Sequence, residues 1–413
     1  MSAVATKTTP FTSRHIADPN RLAHTTLIPP QHRRCTTKND LSKAVWLEVV
    51  RPRCIAAAPM VPCLKTKFKR RVRFGSDFSG MDSALVAMKR LGVAVSAEFV
   101  SDNDPKCIAF LQKVHRPRHL FDDASVGQES KPQVDVYVNT PPCPSFSAAS
   151  HQRGLADARG RLMKVGIQYA KKHKPPVWVL ENVPTIATHK KFRPVLNGLV
   201  SALEKLGYLV HVKVLNASDF GLPHSRQRMF IVALLRGATV SEFRWPSASD
   251  PVPIARVLDP WCATDKAGRL PKNARQSAQV KRAYTQAYKE YGIDARVDEV
   301  IVDSHASAEF TGWRHRISPT LTRGRAISGG FWISTRGRYM SVPEMARLCG
   351  FSDSDMTQWP RQAKTVVGGM LGNCVPVHMI QAVLAAALSA VSADLSSAVS
   401  AGLSRRPADA CFG

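Results

Sequence analysis

Apolar positions recur with two different periods between residues 72 and 235. Val72-Arg-Phe-Gly-Ser-Asp-Phe78 reads as a strand, and Ser83 to Leu91 follows with helical spacing between Asp82, a suitable N-cap, and Gly92, a suitable stop. A second strand over Val93 to Val100 runs to Asp102. Asp104-Pro105 then opens a helix whose Cys107, Phe110, Leu111 and Val114 fall at i, i+3, i+4 and i+7. A short strand before Asp122-Asp123, an alternating strand at Val134, Val136 and Val138, a helix from about Gly160 to His173 and the apolar strand Val177 to Leu180 continue the series. Leu196, Leu199, Val200 and Leu203 mark another helix, and strands near Leu209–Leu215 and Met229–Leu235 complete it. Strands alternating with amphipathic helices imply right-handed β-α-β units and an α/β fold with a mostly parallel, three-layered sheet.

From about Arg236 to Thr322 the alternation is lost. One helix stands out at Val280, Tyr284, Ala287, Tyr288 and Tyr291. It carries Lys281, Arg282 and Lys289 and stops at Gly292. Residues 236–322 are therefore expected to form a small second domain or insertion, with the chain returning to the first domain over 323–390 and ending in a helix near Val377–Leu388. Residues 1–70 are rich in Ser, Thr, Pro and basic side chains without periodicity, and 391–413 are Ala/Ser-rich. Both are expected to be disordered. No continuous run of about 18 apolar residues is apparent, so no membrane partner is expected.

Charge changes the picture more than length does. The chain has 58 Lys+Arg against 31 Asp+Glu, a net charge of +27. The N-terminal arm accounts for only part of this, and a cation of this size associates with polyanions, nucleic acid first. Lys65-Thr-Lys-Phe-Lys-Arg-Arg71 reads as a nuclear import signal, a phosphate-binding patch or a solvated lead-in to the first strand. The first 17 residues have the composition of an organellar transit peptide. A nuclear location is the expectation, with mitochondrion or plastid as the alternative. The nine cysteines are dispersed and none forms C-x-x-C, which argues against a structural zinc or a secreted disulfide framework.

Five residues that could carry chemistry, Gly80, Asp102, Asp123, Cys143 and Glu181, fall at the carboxyl ends of predicted strands, where ligands bind in open α/β sheets. Gly80 in the first β-α turn lets a ligand approach the helix N-terminus, or is a turn glycine. Asp102 stands where an acid takes a ribose hydroxyl pair. Asp123 could bond an adenine amino group or cap the next segment. Cys143 is held between Pro141-Pro142 and Pro144, as a nucleophile or as a small residue in a tight turn. Glu181 follows four apolar residues, so desolvation should raise its pKa and let it share a proton near neutrality. Arg226 and Arg228, two apart, are expected on one side of an extended segment, clamping an anion or a base carbonyl or bridging to carboxylates.

Taken together, Asp77-Phe-Ser-Gly80, Asp102, Asp123, Pro141-Pro-Cys-Pro-Ser-Phe-Ser147, Glu181-Asn-Val183, Arg226-Gln-Arg228, Glu344-Met-Ala-Arg347 and Gly372-Asn-Cys-Val375 stand in the order of the DNA cytosine-5 methyltransferases, and the chain resembles that family from Val72 to Leu388. The resemblance implies a Rossmann-like, doubly wound class I methyltransferase domain with a small target-recognition domain, acting as a monomer on double-stranded DNA. It implies S-adenosyl-L-methionine over Phe78, Ser79 and Gly80, with ribose on Asp102, adenine near Asn103 and Asp123, and Pro142, Asn373 and Val375 around the pocket. Cys143 would add to C6 of a flipped cytosine, Glu181 would hold N3 beside Asn182, Arg228 would bind O2, and Arg226 would support the site. Asp82 and Ser83 stand where the family has further glycines, His224 where it has Gln, and Cys374 where Ser or Ala is common. Two alternatives are a tRNA cytosine-5 methyltransferase and an inactive methyltransferase-like nucleic-acid-binding regulator.

Overall fold

The computed structural model describes residues 64–125, 130–142, 162–307, 310 and 312–395. Its main sheet has seven strands: β1 (Val72–Asp77), β2 (Val95–Ser101), β3 (His119–Phe121), β4 (Val136–Asn139), β5 (Val177–Asn182), β6 (Tyr208–Asn216) and β7 (Gln227–Leu235). They run in the order β3-β2-β1-β4-β5-β7-β6. All pair in parallel except β7, which is antiparallel to both β5 and β6. Helices α1 (Ser83–Arg90), α2 (Pro105–Val114), α3 (Val165–His173) and α4 (Arg193–Lys205) are the expected crossovers.

Both predicted caps of the first two crossovers form. The carboxylate of Asp82 accepts from the Leu85 amide, and that of Asp104 from the Lys106 amide. Every residue of β4 and β5 is buried, as strands covered on both faces must be. At Gly75 the β1–β2 register shifts, and a Cβ there would stand 2.2 Å from the Phe99 ring. Glycine is required at that position by the close approach rather than by backbone freedom.

After β7 the chain builds a second sheet with order β11-β10-β8-β9, made of β8 (Val300–Val302), β9 (Trp313–His315), β10 (Trp332–Ile333) and β11 (Arg338–Tyr339). The long helix α5 (Ala274–Tyr291) begins at its N-cap Asn273 and ends on Gly292 in the left-handed conformation. Side chains alternate across this sheet. Ile301 and Ile333, a cross-strand pair, belong to the main core, while Val300, Val302 and Trp332 pack with Val280, Ala283 and Ala287 of α5. The sheet thus fastens α5 to the larger core. It extends to Tyr339, past the 322/323 boundary read from the sequence, because two-residue strands carry no period.

The short helix α6 (Arg323–Ile327), α7 (Val342–Leu348), α8 (Lys364–Asn373) and α9 (Val377–Ala390) return to the main core. Lys364–Ala390 taken together is long and apolar enough to cross a membrane, although Asn373, His378 and Gln381 keep it from being one continuous apolar run. It is broken before Pro376, and 83% of its most apolar window is buried in the protein. It is core. Of the basic run before β1, Arg70 pairs with Asp135 at 2.7 Å and Lys67 donates to the Ser389 carbonyl, so these two side chains are engaged by the fold.

Three buried histidines give the fold a pH dependence. Burial pulls His115 and His378 down to about 4, and His224 well below its ordinary value. They are uncharged when folded, whereas an unfolded chain protonates each near 6.5, so acidification across this window favours unfolding, by roughly 3 kcal/mol each for His115 and His378 at its lower end and in the same direction for His224. Asp82 opposes them: burial raises it to about 6, so its folded form binds a proton before the unfolded form does and recovers stability below that pH. Asp102 and Glu181, also raised by burial, act in the same sense as Asp82, while the three histidines are displaced further from their ordinary value than these two carboxyls are. The urea midpoint should drop steadily from pH 6.5 to 4.5, and a flat or rising midpoint would contradict this account.

Candidate functional site

The carboxyl end of β1 leads into a turn with three left-handed residues, Phe78 (φ 58), Gly80 (φ 56) and Asp82 (φ 50). A side chain at Gly80 would meet nothing within 4 Å, so one face of the turn is open. Asp82 keeps the conformation a glycine would adopt, which aspartate tolerates better than most residues. Its side chain is turned inward, is 3% exposed, and accepts from Ser76 Oγ at 2.9 Å as well as from Leu85. The departure from glycine therefore leaves the turn intact. Ser83 and Cys374, two further departures, are both buried, and the Cys374 thiol donates to the Leu371 carbonyl at 3.1 Å.

Asp102, just past β2, closes over this turn. Its Oδ2 accepts from the Gly80 amide at 2.8 Å and its Oδ1 from the Asp104 amide at 2.9 Å. Burial raises its pKa and these amide bonds lower it, with burial the larger effect. Two accepted bonds leave a carboxylate with further acceptor positions. Ser79 Oγ lies 2.6 Å from Ser76 Oγ. Asn103 is exposed. Asp123, also exposed, accepts from the Ser125 amide and hydroxyl at 2.7 Å, so it does cap its own turn.

Beyond β4, Thr140 donates from its amide to the Asp77 carbonyl and from its hydroxyl to the Phe78 carbonyl. Asn182 Nδ2 donates to the Pro141 carbonyl at 3.1 Å. The segment Thr140–Pro142 that leads to Cys143 is thereby tied to β1 and β5. Cys143 itself lies outside the described residues.

Glu181, the penultimate residue of β5, is 7% exposed, and its Oε1 stands 2.9 Å from Arg228 Nε on the adjacent β7. Burial pushes the Glu181 pKa up, and the nearby charges of Arg228 and Arg226 pull against it. Arg226, 1% exposed, does not join this pair as a second clamp. Its guanidinium donates to the carbonyls of Leu321 (2.6 Å), Gly372 (3.1 Å) and Cys374 (2.9 Å). It binds the turn around Asn373 to the start of β7. Asn373 is exposed at the end of α8 and Val375 is buried beneath it. His224 Nε2 accepts from the Leu321 amide, serving the same junction.

One pairing escaped the sequence reading, that of Asp77 with Lys131. Asp77, fully buried, receives Lys131 Nζ at 2.7 Å, Tyr137 Oη at 2.6 Å and the Ser101 hydroxyl. Lys131 also donates to the Ala124 carbonyl at 3.1 Å, next to Asp123. Neither residue stands in a pattern that marks a buried pair.

Comparison with known proteins agrees with this arrangement. The model of the C-5 cytosine-specific DNA methylase family matches residues 72–389. The Type II methyltransferase M.HhaI of Haemophilus parahaemolyticus is 28% identical over 329 residues, 77% of this chain and 94% of that protein. The orphan methyltransferase M.SPRI of Bacillus phage SPR is 29% identical over 167 residues, and the match spans only 38% of its length. Among solved structures, the Schizosaccharomyces pombe Dnmt2 methyltransferase superposes with a TM-score of 0.52 at 15% identity, covering 77% of this chain and 99% of that one, a likeness of fold. The chain belongs to the C-5 cytosine-specific DNA methylase family.

Proposed function

We propose that this protein is a DNA (cytosine-5-)-methyltransferase that uses S-adenosyl-L-methionine and acts on a cytosine flipped out of double-stranded DNA. The observation that carries the proposal is the buried Glu181–Arg228 pair at the end of β5, next to a segment that Asn182 and Thr140 aim from β4 toward Cys143. The residues present suit the methyl donor. Gly80 leaves one side of the turn open, Asp102 retains acceptor positions for a hydroxyl pair, and Asn373 is exposed at the end of α8.

The chemistry follows from what a cytosine ring lacks. C5 has no acidic proton and becomes nucleophilic only after a thiolate adds at C6. Cys143 makes that bond while Glu181, its pKa raised by burial, holds or protonates N3 and takes up the electron density pushed into the ring. Arg228 balances Glu181 and is placed to hold O2. When bound, S-adenosyl-L-methionine supplies the methyl group that C5 accepts. Loss of the C5 proton to a base and departure of Cys143 restore the aromatic ring. The small sheet and α5 are assigned to contact with the duplex: Val280, Ala283 and Ala287 face inward, leaving Lys281, Tyr288 and Lys289 exposed.

A duplex in which the target cytosine carries fluorine at C5 cannot lose a proton there, so the adduct persists. Incubation with S-adenosyl-L-methionine should give a denaturation-resistant protein–DNA band that disappears in Cys143→Ser. A band with RNA alone, or none with duplexes of mixed sequence that the protein binds, would overturn the proposal.

A further inference from the structure

The amino ends of the main-sheet strands, opposite the edge that carries the site, gather cations from separate parts of the chain. Arg70, Arg71 and Arg73 lie at the start of β1, Lys171 and Lys174 just before β5, Lys205 before β6, and Arg236 after the reversed strand β7. Backbone and side-chain contacts join these positions into one surface. Arg70 and Arg73 grip Asp135, which precedes β4, and the Asp135 carbonyl accepts from the Val177 amide. Gln133 donates to the His173 carbonyl, the Leu235 amide to Pro176, and the Arg236 amide to Gly207. Five adjacent strand ends at about 4.8 Å spacing make this edge about 19 Å wide.

Asp135 is completely buried beneath Arg70 and Arg73, and among the described residues Glu204, Glu242 and Asp394 are acids near this edge, Glu242 being paired with Arg244. Arg71, Lys171, Lys205 and Arg236 are exposed. Large exposed apolar side chains among the described residues, such as Trp261, Tyr288, Tyr291 and Phe310, sit on other elements. Val240, beyond β7, is the one that approaches this edge. A face with many cations and no aromatic or leucine wedge lacks what an interfacial membrane anchor needs. It suits a regular array of phosphates, which neutralise Lys and Arg with release of counterions.

We propose that this amino-end edge is a second duplex-binding surface, which holds a stretch of DNA separate from the one at the carboxyl-end site. The partner is recognised through its phosphates and not through its bases, so binding there is independent of sequence and steeply salt-dependent.

The test is a bridging assay without methyl donor, in which full-length protein is bound to a bead-immobilised duplex and challenged with a second, fluorescent duplex. The protein should retain the second duplex at low salt and release it as salt rises. A variant with Arg71→Glu, Lys171→Glu, Lys174→Glu and Arg236→Glu should still bind the immobilised duplex and lose at least about nine-tenths of the bridging. The four corresponding Gln substitutions should lose most of it, which covers the case in which charge reversal disturbs folding. Failure of the natural protein to bridge, or bridging by both variants that equals that of the natural protein, overturns the proposal. So does retention of anionic vesicles but not of a second duplex. Trapping with the fluorinated cytosine reads the other edge of the sheet, so either result can fail while the other stands.

Discussion

Glu181→Gln should slow methyl transfer by at least about 100-fold, the lower end of what a positioned proton donor contributes. The amide keeps the size of the side chain inside β5 and can still face Arg228, so the fold should be retained. What is lost is a group that exchanges a proton with the ring. The pH profile separates this from a general disturbance. In the natural protein burial has raised the Glu181 pKa, so its protonated fraction falls as pH rises through that value, while the thiolate fraction of Cys143 grows. The rate should therefore pass through a maximum. In Glu181→Gln the descending alkaline limb should flatten, because no proton remains to be lost from residue 181. Single-turnover rates from pH 5.5 to 9 decide the matter. A variant within about tenfold of the natural rate, or one that keeps the descending limb, removes Glu181 from the role of proton donor.

Legibility of the fold tracked how strongly local chemistry constrains each element. The first crossovers and α5 were readable because Asp82, Asp104 and Gly292 bound their helices by their own side-chain or backbone properties. β8 to β11 were not readable, since strands of two or three residues give no period. α8 was missed for a different reason. Gly368, Gly369 and Gly372 lower its helix propensity, yet they allow it to approach Ala326 and Arg323, where a Cβ on Gly372 would lie 2.5 Å from the Arg323 backbone. The reversal of β7 is a matter of pairing partners and leaves no mark in composition.

The same reasoning explains the site. Arg226 and Arg228 were expected to share a side because alternation applies along an extended strand. β7, however, begins at Gln227, so Arg226 lies before the strand and turns to the carbonyls of Leu321, Gly372 and Cys374. Asp123 shows the opposite outcome: the modest role of capping its own turn is the contact present. Asp82 shows that a family departure is best judged from φ and from the side chain's partners together.

Lys131→Met should cost about 3–5 kcal/mol of folding stability, the usual penalty for removing one partner of a buried ion pair. Both side chains of the pair are fully buried, and desolvation, although it lowers the Lys131 pKa, is opposed by Asp77. The substituted protein would keep the Asp77 carboxylate in the core with only the hydroxyls of Tyr137 and Ser101 as donors. Asp77→Asn combined with Lys131→Met removes both charges and should be less destabilised than the sum of the single changes, with a coupling above about 1 kcal/mol in a double-mutant cycle. Urea denaturation of the four proteins provides the test, and strict additivity would show that the two groups do not depend on each other. The pair also matters to the site, because the Asp77 carbonyl receives Thr140 on the way to Cys143 while Lys131 holds the turn beside Asp123. Stability lost at Lys131 should therefore be accompanied by weaker binding of the methyl donor at temperatures where the variant is still folded.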